Sequence, residues 1–212
     1  GEDDPAALDA AKAIAATSDG QLIGLTIGDG DASWALARGV QQAISVTDAP
    51  FLPDNAATAA ILAAAVRSVE DVDVVVIGDS EQYPGVAATL AGHLGWPALL
   101  GVTTATSRDG RIEAIRSSAD GAETVSLATP AVLGVAAVGA ESRTPGMKEM
   151  LAARKRPVTK LTVAELDAAV PTLLEDRGTR VPETTPARVF EGDPTVAADQ
   201  LVAALRAEGV LA

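Results

Sequence analysis

No cysteine occurs in this chain of 212 residues, and histidine occurs once, at His93. A disulfide framework and a thiolate metal site are both excluded. His93 has no second ligand at metal spacing and reads as a helix-end residue rather than a site. Aromatic residues make up 2% of the sequence against 48% hydrophobic overall, so the core must be built from Ala, Val, Leu and Ile. Basic residues are the scarcer charge: 16 Lys and Arg stand against 29 Asp and Glu, giving a formal net charge of −13. A nucleic-acid backbone needs a basic face, so the balance argues against that partner, and the acidity reads as solubility. No apolar run reaches the roughly 18 residues that a membrane-spanning helix needs. The opening Gly1-Glu2-Asp3-Asp4 is acidic, where a secretory signal is basic and then apolar. Cytoplasm is the expected compartment.

What is present is regular punctuation. Asp4-Pro5 predicts the start of an Ala-rich helix to about Thr17. Leu22 to Ile27 is a short apolar strand closed by Gly28-Asp29-Gly30. A helix from about Ala32 to Gly39 and a strand at Ala43 to Val46 follow. Asp54-Asn55 cap a third helix, in which Ile61, Leu62, Ala65 and Val66 recur at helical spacing. Val72 to Ile77 is the clearest strand, and a helix from about Gly85 to Leu94 comes next. Alternating helices and continuously apolar strands predict a parallel sheet covered on both faces. In such folds a helix follows the strand it crosses over from. Because the series opens on a helix, a further strand ahead of it is expected.

After Leu99 the pattern changes. Val102–Ala105, Arg111–Arg116, Glu123–Leu127 and Ala131–Val138 predict strands, with the turn dipeptides Asp109-Gly110 and Asp120-Gly121 between the first three. A basic helix from Pro145 to Arg156 ends at Pro157, and its Lys148, Arg154, Lys155 and Arg156 complement the helix dipole. Residues 171–193 hold Pro171, Pro182 and Pro186 and little periodicity. Asp193-Pro194 then opens a last amphipathic helix with Val196, Leu201, Val202 and Leu205 on one side. The expected fold is α/β: a mostly parallel twisted sheet with helices on both faces, antiparallel hairpin strands in the second half, and an extended C-terminal arm ending in a helix. Residues 1–170 form the core and 171–212 the arm.

Three stretches carry a family resemblance. In residues 115–134, Arg116, Asp120, Gly121, Glu123, Val125, Pro130, Val132 and Leu133 fall in step with a signature of one basic residue, acidic or glycine positions, a Glu, an aliphatic, then proline and two aliphatics; Ala119 and Gly134 depart from it. In residues 141–157, Glu141, Arg143, Met150, Ala152, Lys155 and Pro157 match, while Ala140 and Ser142 replace an expected Asn and Pro. The third is Leu94-Gly95-Trp96-Pro97, with Leu90 and Ala91 before it. In order and spacing the chain resembles the beta subunit of electron-transfer flavoproteins.

The resemblance implies an adenine-nucleotide-hydrolase-like fold that is not itself an enzyme. It implies an alpha-subunit partner holding most of the FAD, acyl-CoA or related dehydrogenases as electron donors, and a membrane quinone oxidoreductase as acceptor. A chain without cysteine and with one histidine agrees, because its redox centre would have to be a bound flavin. It implies AMP, or a second FAD, in the loop Gly78, Asp79, Ser80, Glu81, Gln82 to Gly85. Here the loop is short, Pro84 removes a donor and Glu81 adds negative charge, which makes AMP doubtful. It further implies flavin-domain contact by Glu141 and Arg143, against a reading of both as a solvated pair. Dehydrogenase recognition falls to Val170, Leu173 and Leu174, against an ordinary helix packed on the core. The alternatives are an adenine-nucleotide-binding module of the same fold, and a structural subunit that has lost nucleotide binding.

Overall fold

The expected alternation is built in full. The structure, a computed structural model, describes residues 3–28, 32–49, 54–81, 83–118, 121–136, 144–171, 174, 177–184 and 186–211. The chain divides into two compact units, Gly1–Glu175 and Asp176–Ala212. In the first, α1 (Asp4–Ser18), β1 (Ile23–Ile27), α2 (Ser33–Ala37), β2 (Gln42–Val46), α3 (Asn55–Arg67), β3 (Val74–Gly78) and α4 (Val86–Leu94) succeed one another. Then come β4 (Ala98–Arg108), β5 (Arg111–Ser118), β6 (Gly121–Ala128), β7 (Ala131–Val135), α5 (Met147–Ala153) and β8 (Val158–Leu161).

The α/β class holds, with the strands in two sheets: β1-β2-β8, and β3-β7-β4-β5-β6. The first is all parallel. In the second, β3, β7 and β4 are parallel, while β4-β5-β6 is an antiparallel meander. β7 lies between β3 and β4 and is buried at all five positions, as a central strand of an α/β sheet should be. Helices cover both faces. Ala7, Ala10 and Ile14 of α1 share a cluster with Leu99, Leu133 and Val135, and on it pack Val74 and Val76. Ala59 and Ala63 of α3 join Val86 and Leu90 of α4 and Val132, with Val75 and Ile77 packed against them.

The local signals act as expected, with shifts of a residue or two. Asp54 is 4% exposed, and its carboxylate accepts from Ala56 N at 2.9 Å and Ala57 N at 3.2 Å, starting α3. Asp54→Ala leaves those two N–H groups short of an acceptor and is expected to cost about 1–2 kcal/mol, read by urea denaturation. The first helix begins one residue ahead of the expected cap: Asp3 is the N-cap and Asp4 the first helical residue. Asp109 and Gly110 both take positive φ (50° and 72°), the two-residue hairpin turn that matches strand twist. In the β5–β6 hairpin Ser118 pairs with Gly121, so Gly121 belongs to the strand. The basic helix is shorter than expected because Gly146, not Pro145, caps α5, its N–H donating to Glu149 Oε2 at 2.7 Å.

β8 was not expected at all. Val158-Thr159-Lys160-Leu161 is mostly exposed and has no alternating pattern, and it is a strand because β2 offers it an edge. Arg156 prepares that pairing: its Nη1 donates to Leu36 O at 3.0 Å and to Val40 O, tying the chain after α5 to the end of α2.

In the second unit, residues described before α6 (Pro194–Ala207) carry no helix or strand. Asp193 caps α6 by accepting from Thr195 N at 2.9 Å and Val196 N at 3.3 Å. The Arg188 guanidinium lies 5.0 Å from the Phe190 ring centroid. α6 has no buried residue, and Val196, Leu201 and Val202 are exposed.

Candidate functional site

Parallel α/β sheets bind ligands beyond the carboxyl ends of their strands, where helix N-termini present free N–H groups. Here that position is the loop from β3 to α4. Gly78 closes β3 against the start of α1: a Cβ on it would lie 3.1 Å from Asp3 C and 3.2 Å from Asp4 N. Only glycine lets the helix come so near. Asp79 is fixed at both ends, its N–H donating to Val135 O at 2.8 Å and its Oδ2 accepting from Gly101 N at 3.3 Å. Gly101 has a positive φ of 68° and marks the bulge between Leu99 and Val102, where the β4 register shifts. Tyr83 N donates to Ser80 O at 3.2 Å, and Tyr83 packs against the buried cluster that holds Val86 and Leu90. The Asn55 side-chain amide donates to Pro84 O. Gly85, at φ 86°, caps α4 without a side-chain hydrogen bond.

Several of the backbone donors near this strand end are already taken. The Asp79 and Tyr83 N–H groups already serve Val135 and Ser80, and Pro84 has none to offer. Glu81 is exposed on the loop, and the backbone of Asp3 and Asp4 at the start of α1 adjoins Gly78, so the charged residues of this region are acidic. Sequence reasoning missed Asn55, Gly101, Asp3 and Asp4 as residues that shape this loop. Asn55, directly after the helix cap, was the one with a visible signal.

Of the other expected site residues, Val170 and Leu174 are described. Val170 is half-buried, and together with Val163 and Leu166 it packs on the cluster of Val46, Ile61 and Ala65. Leu174 is 58% exposed. Gln82, Glu141, Arg143 and Leu173 lie outside the described residues. Among the described residues no group of three or more His, Asp or Glu could hold a metal ion, and no helix is long and apolar enough to cross a membrane. Arg38 stacks 4.3 Å over the Trp34 ring centroid, and its buried Nε has no partner among the described residues.

Fold and loop together define an α/β protein with a parallel strand end whose loop spends the Asp79, Tyr83 and Val86 N–H groups on the protein's own backbone. The electron transfer flavoprotein domain pattern matches residues 2–166, and the chain belongs to that family. It is 32% identical over 158 residues to a Mycobacterium leprae electron transfer flavoprotein subunit beta, covering 72% of this chain and 59% of that protein. Subunits of the same name from Mycobacterium bovis and Mycobacterium tuberculosis H37Rv are each 32% identical over 137 residues, covering 62% of this chain and 51% of theirs. The chain thus spans between half and three-fifths of the length of these relatives. Among the residues that carried the resemblance, Arg116 and Glu123 stand opposite each other on β5 and β6, with Nε and Oε2 at 2.7 Å. Val132 and Leu133 sit fully buried in β7.

Proposed function

We propose that this chain is the beta subunit of a heterodimeric electron-transfer flavoprotein, scaffolding an alpha subunit that holds most of the FAD. The heterodimer passes electrons from acyl-CoA-type dehydrogenases to a membrane quinone oxidoreductase, and it works in the cytoplasm. The observation that carries this reading is the family match across residues 2–166. Two features of the chain support it. With no cysteine it has no thiol couple of its own. α6 carries Val196, Leu201 and Val202 unburied, an apolar stripe suited to a partner subunit. Glu141 and Arg143 would meet the flavin-bearing domain. Val170, Leu173 and Leu174 would form the dehydrogenase recognition segment, with exposed Leu174 as its anchor. The flavin supplies the redox chemistry, and this chain contributes position and partner choice.

Purified alone, the chain is expected to be colourless; co-expressed with an alpha subunit it should yield a yellow heterodimer. A well-behaved monomer that ignores the alpha subunit and binds ATP would favour a nucleotide-binding module instead. The acidic, internally bonded β3–α4 loop favours a beta subunit that holds no nucleotide of its own. Nucleotides released by heating the heterodimer should therefore contain FAD and no AMP. Stoichiometric AMP would overturn that part of the reading.

A further inference from the structure

α1, α2 and the segment of α5 meet around a cavity of about 360 Å³. A parallel crossover returns the chain to the amino end of the next strand, so α2 finishes at the amino end of β2. Parallel sheets hold nucleotides at the other end, beyond the carboxyl ends of their strands. None of the residues that line this cavity belongs to the β3–α4 loop.

Three cationic residues line it, each from a different part of the chain: Lys12 from α1, Arg38 from the end of α2 and Arg156 from just after α5. With a formal net charge of −13, carboxylates are plentiful in this protein, yet among the described residues neither arginine is ion-paired. Carbonyls at the end of α2 hold them instead. Arg38 Nη1 donates to Trp34 O at 3.2 Å, and its guanidinium lies 4.3 Å over the Trp34 ring. Arg156 Nη1 donates to Leu36 O at 3.0 Å and to Val40 O. A guanidinium carries five N–H donors in a fixed fork, and these bonds use one nitrogen of each. Closing the end of α2 explains the Nη1 bonds. It leaves the other nitrogens of both forks, the buried Nε of Arg38 among them, without an acceptor among the described residues.

Lys12 is held loosely. Its Nζ lies 3.7 Å from Asp9 Oδ1, and both side chains are about half exposed, a contact that contributes little. A Cβ on Gly39 would lie 3.9 Å from Lys12 Cε, so the lysine runs along the cavity wall. Two carboxylates, Asp9 and Glu149, also line the cavity. Glu149 Oε2 is engaged by Gly146 N at 2.7 Å, and Asp9 is exposed.

We propose that this cavity binds a phosphate group, either as inorganic phosphate or as the head of a small phosphate monoester. A phosphate presents oxygens in tetrahedral directions and carries up to two charges, which suits cations arriving from three parts of the chain. A carboxylate is planar and singly charged, and one arginine fork serves it fully. Arg38 and Arg156 donate through the nitrogens that their carbonyl bonds leave free, and Lys12 turns from Asp9 to act as a point charge. The volume is at the small end of the range for metabolite pockets. Once bound, the anion ties α1 and α2 to the residue that leads into β8, and so fastens the pairing of β8 with β2.

The test titrates inorganic phosphate or glycerol 3-phosphate into the full chain, with ionic strength held constant by sodium chloride. The side-chain Nε–H resonances of Arg38 and Arg156 should shift and saturate together with either probe. Acetate at the same concentration should leave them unmoved. Shifts that follow ionic strength alone, or equal shifts with acetate, would overturn the phosphate site. Arg38→Gln leaves the Arg156 clamp in place and should weaken phosphate binding at least about tenfold, the loss of one charge-assisted contact. Asp9→Asn, at an exposed position of α1, removes a repelling charge and frees Lys12, and should tighten binding about two- to fivefold. Affinity unchanged by Arg38→Gln would place the anion elsewhere and defeat the assignment; so would weaker binding in Asp9→Asn.

Discussion

Leu133→Ala is expected to destabilise the first unit by about 2–5 kcal/mol, the range for removing a fully buried leucine where surroundings relax only in part. Leu133 is 0% exposed in the strand between β3 and β4. It pairs in register with Val76 on one side and Leu99 on the other. Its side chain lies in the cluster that α1 closes with Ala7, Ala10 and Ile14. For a unit of 175 residues the loss corresponds to a fall in Tm of roughly 5–15 °C. Guanidinium denaturation with an unchanged m-value would confirm a packing loss rather than a changed denatured state. A shift below about 1 kcal/mol would mean that β7 is not the centre of the core.

Gly78→Ala is the second large effect. Alanine is chemically mild, but its Cβ would sit 3.1 Å from both C and Cβ of Asp3 and 3.2 Å from Asp4 N, and two of these three are backbone atoms. To make room, the start of α1 must move, and α1 spans the layer over both sheets. A cost of about 1–3 kcal/mol is expected, typical of overpacking a site that cannot yield. Gly92→Ala is the matching control. Gly92 is exposed within α4 and an added Cβ there meets nothing within 4 Å. Replacing a mid-helix glycine should stabilise by about 0.5–1 kcal/mol. Thermal melts of the two variants should therefore move in opposite directions. If Gly78→Ala melts at or above the parent, the close approach of α1 to β3 is wrong.

Most of the first unit was legible because its signals are local. Asp54 caps a helix wherever three apolar turns follow, and Asp109-Gly110 turns a hairpin whatever it joins. β8 escaped because VTKL has no pattern of its own and is held by Ala43 to Val46, far back in the chain. β4 was expected as four residues and runs to eleven, since Ala98, Leu99 and Val102 pair with β7 while Val102 and Thr104 to Arg108 pair with β5. Local periodicity sees neither partner. The β3–α4 loop is legible in the sequence as a strand-end site. What decides its chemistry is the destination of its N–H groups, and residue type records only one of them, the donor that Pro84 lacks. Val170 shows the same limit: its packing on the cluster of Val46 and Ile61 joins residues more than a hundred positions apart, and local sequence does not record it.

The pairing of β2 with β8 also sets an order on synthesis. Thr47 N donates to Leu161 O at 3.0 Å, across 114 residues of sequence. At about 5–20 residues per second, the outer side of β2 waits on the order of ten seconds on the ribosome before its neighbour is made. During that interval Gln42-Ala43-Ile44-Ser45-Val46 is a nascent strand with a bare flank. A chaperone that shields short aliphatic segments would find its longest-lived target there.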